Sequence, residues 1–163
     1  MDTKDSIRSA MRVSDEVLMA YLSDLQDQDL LTRPNPSCNH LAWQLGHLII
    51  SESRLLQSVC PGKGLDLPAE FVEAHSKDSS GSDEESAFLS KDEYLSLYGD
   101  TRNATRAALG DFPEVNFDQP SPDPFLSRFP TLGDLFMLIA MHPLMHAGQF
   151  VVARRVIGKP VLI

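Results

Sequence analysis

Cysteine is almost missing from this chain. Its 163 residues include two, Cys38 and Cys60, and they bracket a stretch read below as helix. About 22 helical residues at 1.5 Å rise would hold them roughly 33 Å apart, whereas a disulfide needs Cα atoms within about 7 Å. The pair should stay reduced, which suits a reducing compartment. Nothing in the sequence places Cys38 beside a base that would make it a nucleophile. Positive charge is also scarce: 14 Lys and Arg stand against 23 Asp and Glu, for a net charge of −9. Such a chain repels phosphate backbones and anionic lipid, so neither a nucleic-acid nor a membrane partner is expected. No uninterrupted apolar run approaches the roughly 20 residues of a membrane span. The start, Met1-Asp2-Thr3-Lys4-Asp5, lacks a signal-peptide pattern. A soluble, cytoplasmic protein is the expectation.

Strand-type alternation and internal repeats are absent as well, while helix signals dominate. Ile7, Met11, Leu18, Tyr21 and Leu25 recur at 3,4 spacing and predict a first helix over about residues 4–26. Arg33-Pro34-Asn35-Pro36 breaks it, with Ser37 or Asn39 available to cap a second helix over 40–59. That helix carries Leu41, Leu45, Leu48, Leu55 and Val59 on one seam, with Glu52 inside it, and Pro61-Gly62 ends it. Residues 61–89 form the longest irregular stretch; its polar, acidic centre at 76–86 contains no aliphatic side chain and is expected to be mobile. Ser90 with Glu93 reads as a capping box for a third helix that stops near Gly110. The five prolines of 111–130 predict an ordered crossing loop. Thr131 with Asp134 caps the fourth helix, Arg154 and Arg155 suit its negative C-terminal end, and Gly158 with Pro160 stops it. The expected architecture is all-α: a single-domain four-helix bundle over 1–163, with a long loop between helices 2 and 3 and a Pro-rich crossing loop between helices 3 and 4.

The fourth helix is where chemistry suggests itself. Leu132, Leu135, Ile139, His142, His146, Gln149, Ala153 and Val156 form one seam, dry at its ends and polar in its middle. Unpartnered polar groups taken out of water cost roughly 1–3 kcal/mol each, so this middle needs a ligand or a hydrogen-bond network. His142 and His146 lie one turn apart and can reach a single ion; partnered core histidines or a pocket wall would also explain them. Candidates for a third ligand are His40, His47 and His75. His40 at a helix start and His75 in the acidic loop are expected to be solvated, whereas His47 stands mid-helix beside Gly46, where a neighbouring helix can approach closely. Imidazoles with open coordination positions suit zinc or nickel. His142-Pro143-Leu144-Met145-His146 lacks the glutamate of HExxH, which disfavours a peptidase. Pro143 withholds a backbone N–H and should kink or bulge the helix. Glu52 is a candidate for an acid/base or ligand-supporting role, or for a salt bridge. Gln149 would orient a substrate or an imidazole, or simply pack.

Two blocks carry a resemblance. Asn39-His40-Leu41-Ala42-Trp43-Gln44-Leu45-Gly46-His47, together with Thr131-Leu132-Gly133-Asp134, His142, His146-Ala147-Gly148-Gln149 and Arg154-Arg155-Val156-Ile157-Gly158, resembles the DinB-like (DinB/YfiT) superfamily. The likeness spans nearly the whole chain in helix order, although 61–130 matches only in pattern. It implies a four-helix bundle holding a divalent ion, commonly nickel or zinc, on three histidines, which by motif are His47, His142 and His146. Characterised relatives use low-molecular-weight thiols, among them bacillithiol transferases and the mycothiol-dependent maleylpyruvate isomerase, and many form dimers. The expectation is therefore a metal-dependent enzyme of the small-thiol S-transferase type, with a thiol co-substrate, a small-molecule substrate and a homodimer as candidate partners. The alternatives are a hydrolase using metal-bound water and a non-catalytic bundle that binds metal or a small molecule.

Overall fold

A computed structural model describes residues 2–163. Four long helices make the bundle: α1 (Thr3–Leu22), α2 (Leu41–Val59), α4 (Lys91–Asp111) and α5 (Leu132–Val156), with a short α3 (Ala69–Ala74) between the second and third of them. Among the described residues the only β-type pairing is an isolated bridge between Pro120 and Thr131. The capping boxes at Ser90/Glu93 and Thr131/Asp134 both form. The cap of α2 is neither Ser37 nor Asn39. It is His40, whose Nδ1 accepts the Trp43 N–H at 3.0 Å. Helix α1 ends at Leu22 rather than near Gln26, and a 3-10 turn over Asp27–Leu31 follows. There Arg154, fully buried, donates to the Tyr21 carbonyl at 2.8 Å and pairs with the Asp24 carboxylate. The arginine thus ties the end of α1 to the end of α5 as well as suiting a helix dipole.

Two apolar layers place the helices. One gathers Leu18, Leu22, Leu41, Leu45, Tyr94, Phe150 and Ala153; the other gathers Ile7, Met11, Leu56, Val59, Leu109, Phe112, Leu135 and Phe136. The starts of α1 and α5 therefore share one end of the bundle with the ends of α2 and α4, an up-down-down-up order. Helix α5 packs against both α1 and α2. The step from α2 to the parallel α4 must climb back the whole bundle, about 28 Å at 1.5 Å per residue, and residues 60–90 make that climb as a strap. This segment is less irregular than its composition suggests: it contains α3 and a 3-10 turn at Glu85–Ala87. Arg33 holds it by donating to Asp83 and to the Ser82 carbonyl. The Pro-rich segment stays at one end and crosses from α4 to α5, tucking Phe117 into the core.

Helix α5 is long and apolar enough by composition to cross a membrane, with a mean hydropathy of 1.5 over its best window. In the bundle it packs against α1 and α2 along one side, and Arg154 is buried within its last turn. Pro143 does not end it. The N–H that proline lacks would have served the Ile139 carbonyl, and Arg102 Nη1 donates to that carbonyl instead, at 3.2 Å. Ser14 Oγ donates to the neighbouring Ala140 carbonyl at 2.6 Å.

Candidate metal centre

His47 on α2 faces His142 and His146 on α5. The ring centroids lie 5.3 Å apart for His47 to either partner and 4.9 Å apart for the α5 pair. One nitrogen from each ring lies within 4.8 Å of the other two. Nitrogens around a tetrahedral ion with bonds of about 2.05 Å sit roughly 3.3 Å apart, so the three rings are gathered to within side-chain adjustment of a shared ion. Among the described residues no other group of His, Cys, Asp or Glu is so gathered.

Neighbours set the orientation and protonation of each ring. The amide oxygen of Gln44 lies 3.0 Å from His146 Nδ1, while the amide nitrogen of Gln44 donates to the Asn39 carbonyl, also at 3.0 Å. That second bond points the oxygen at the imidazole, so Nδ1 carries the proton and Nε2 keeps its lone pair for the centre. Trp43 stacks on His47, 5.1 Å between centroids and 7° from parallel, and its own N–H donates to the Ser76 carbonyl of the strap at 3.0 Å. Burial is the largest cause lowering all three imidazole pKa values. His142 falls to about 4, further lowered by His47, and His146 to about 3, further lowered by His142 and His47. His47 is lowered too, with Arg54 and Lys77 adding to the effect of burial. Three neutral imidazoles at neutral pH are what a divalent first-row ion requires.

The other candidate residues lie elsewhere. Glu52 is buried away from this group, with one carboxylate oxygen on Arg102 at 3.0 Å and the other on Thr105 at 2.6 Å; the salt-bridge expectation describes it. Gln149 is exposed and its amide forms no hydrogen bond among the described residues. The amide that does orient an imidazole, Gln44, was missed, although it precedes His47 by three residues and so shares its helix face. His40 and His75 are corrected from solvated to buried. His40 caps α2 and contacts the Ser82 carbonyl through Nε2. His75 donates to the Phe71 carbonyl and accepts from the Tyr94 hydroxyl, both at 2.7 Å. Its ring fills the space over Gly46, where an added Cβ would lie 2.0 Å from it. The close approach expected at Gly46 is thus made by a strap side chain rather than by a helix.

Two clefts meet at His47, Ser51 and Arg54. One, about 380 Å³, runs between α2, α5 and the Pro-rich segment and is walled by Leu55, Phe125, Phe129, Leu138 and Met145. The other, about 420 Å³, lies between α2 and the strap and presents Trp43, Glu73 and Lys77.

With this geometry in place the comparisons with known proteins become specific. The profile of the DinB superfamily matches residues 10–150. The chain belongs to the DinB superfamily. Among solved structures, a conserved protein from Enterococcus faecalis superposes with a TM-score of 0.69 at 19% identity, covering 98% of this chain and 99% of its own. A likeness at that identity concerns the fold. No curated protein matches the chain. This DinB-superfamily chain thus combines the expected helical bundle with a histidine triad suited to metal.

Proposed function

We propose that this chain is a divalent-metal-dependent enzyme that transfers a small thiol to an electrophilic small molecule. The observation that carries this reading is the convergence of neutral His47, His142 and His146, with His142 on one cleft and His47 on two. When bound, nickel or zinc lowers the pKa of a thiol so that it is nucleophilic at neutral pH. The chain's own residues hold and aim. Gln44 fixes the tautomer of His146 and Trp43 fixes the plane of His47. The clefts on either side of His47 offer separate room for a thiol and its acceptor. Hydrolysis by metal-bound water is the second reading: it uses one substrate where the two clefts beside His47 offer room for two, and Glu52, engaged by Arg102 and Thr105, gives it no assisting base. A purely structural ion, which takes a closed set of four protein ligands, is likewise less well supported by a group of three.

The protein is proposed to work in the cytoplasm as a homodimer, without nucleic-acid or membrane partners. Support for self-association comes from Met137, Met145, Val152 and Val156, exposed apolar side chains along one outer face of α5. Elemental analysis of protein purified without a histidine tag should find near-stoichiometric nickel or zinc, lost in a His142→Ala/His146→Ala variant. Metal retained by that variant would overturn the ligand assignment. A thiol screen with a chromogenic electrophile should then give turnover abolished by chelation, and activity indifferent to chelation would refute the mechanism.

A further inference from the structure

The cleft bounded by α2, α5 and the Pro-rich segment carries information about what enters it. Its walls are apolar: Leu55, Phe125, Phe129, Leu138 and Met145. Its charged side chains are Arg54 and Arg128, and no acidic residue lines it. This is unusual for a chain with 23 acidic residues against 14 basic ones. Arg8, Arg12, Arg33, Arg102, Arg106 and Arg154 all form ion pairs. Among the described arginines only Arg54, Arg128 and Arg155 form none, and two of these three stand on this one cleft. Arg128 also lies over the Phe129 ring, 5.6 Å from its centroid, which places a cation against the apolar wall. A cleft of this size suits a small organic molecule, and two guanidinium groups without ion-pair or hydrogen-bond partners among the described residues match a carboxylate in shape and charge.

We infer that this cleft binds an organic anion with an apolar body, of the aryl-alkyl carboxylate class. The body lies against Phe125, Phe129, Leu138 and Met145, and the carboxylate is met by Arg54 and Arg128. As a statement about substrate, this rests on the histidine centre being the reactive one; as a statement about binding, it does not.

The test is calorimetric titration of the full chain, stripped of metal by chelation, with phenylbutyrate, phenylbutanol and acetate. Phenylbutyrate should bind about tenfold more tightly than phenylbutanol, and acetate, which lacks the apolar body, should not bind measurably. Arg54→Gln/Arg128→Gln, at two exposed positions, should bring phenylbutyrate down to the level of phenylbutanol. Leu138→Trp, which fills this cleft and leaves the one beside the strap open, should weaken both. His146→Ala, changed at a histidine outside the lining of this cleft, should keep the preference for the carboxylate. Equal affinity for acid and alcohol, indifference to the arginine substitutions, or binding unaffected by Leu138→Trp would each overturn the inference. So would phenylbutyrate binding that appears only with metal present, a result that leaves the histidine centre standing. Failure of the chain to retain metal would sink the proposed activity and leave this binding site intact.

Discussion

Two polar groups interrupt the same apolar bundle, and they differ in how completely they are satisfied. Around Arg102 every donor is used: Nε reaches Asp15, Nη1 reaches Glu52 and the Ile139 carbonyl, and Nη2 reaches Ser14 and the Met11 carbonyl. Tyr98 and Thr105 complete the carboxylates with hydrogen bonds of 2.7 Å and 2.6 Å. Burial pushes the Glu52 carboxyl up, and the adjacent guanidinium opposes that shift. The histidine group is the reverse. Gln44 supports one nitrogen of His146, Ser51 lies 3.4 Å from one nitrogen of His47, and His142 has no hydrogen-bond partner among the described residues. A polar layer that consumes its own capacity builds a scaffold, whereas one that leaves lone pairs free awaits a ligand.

The sharpest way to break this contrast is to remove one member of each layer. Arg102→Leu leaves Glu52 and Asp15 without their cation and should cost about 3–5 kcal/mol in urea denaturation. His142→Ala in metal-free protein should cost about 1 kcal/mol while abolishing metal retention. Equal stability losses would erase the distinction. The next effect concerns the single support the open layer has. Gln44→Leu should weaken metal affinity about 10–100-fold in competition with a chromogenic chelator, with the fold unchanged by circular dichroism. An unchanged affinity would mean that the tautomer of His146 does not depend on the amide.

The smallest effect tests a third kind of imidazole, one whose capacity is wholly used. His40 accepts through Nδ1 and contacts a carbonyl through Nε2, so its neutral form alone fits. Burial, then Arg33, lowers its pKa from 6.5 to about 4. Because the folded value lies below the unfolded one, the unfolded chain takes up more protons as pH falls. The stability contributed by neutral His40 is full above about pH 6.5 and is lost as pH falls towards 4. His40→Asn keeps a capping oxygen without the titration. Between pH 6.5 and 4 it should lose about 1–2 kcal/mol less stability than the parent, measured by urea midpoints at stepped pH. Identical pH profiles would remove His40 as the cause. The other histidines titrate in both proteins and cancel in the comparison.

The parts of the molecule legible in its sequence are those set by local rules. Helix periodicity, the Ser90/Glu93 and Thr131/Asp134 boxes and the His-x3-His spacing all act within a few residues, and each reappears in the fold. Long-range pairing was not legible. Nothing near Glu52 in sequence announces Arg102 as its partner, and nothing near His75 announces Gly46. The choice of Gln149 over Gln44 has a geometric cause. A strict seven-residue seam drifts about 20° per heptad around a straight helix. The face α5 buries is wider than the seam: it keeps Leu135, Ile139, His146 and Ala153 along one edge and extends through Phe136, Ala140, Pro143, Ala147, Phe150 and Arg154, which leaves Gln149 and Val156 outside. Pro143 likewise looked like a helix defect because its compensation comes from an arginine on another helix.

The strap from residue 60 to residue 90 is hung on the bundle rather than woven into it. Of the buried side chains in the two apolar layers it supplies only Phe71, and its attachments near the centre are the Ser76 carbonyl on Trp43 and the His75 ring, over Gly46 and on the Tyr94 hydroxyl. The strap reaches the triad through backbone more than through side chains: the Ser76 carbonyl holds Trp43 against His47 and the Ser82 carbonyl meets the His40 cap, while Glu73 and Lys77 present their side chains to the cleft. Exchanging Glu73 or Lys77 would therefore repaint that wall of the cleft and leave every one of these backbone ties in place.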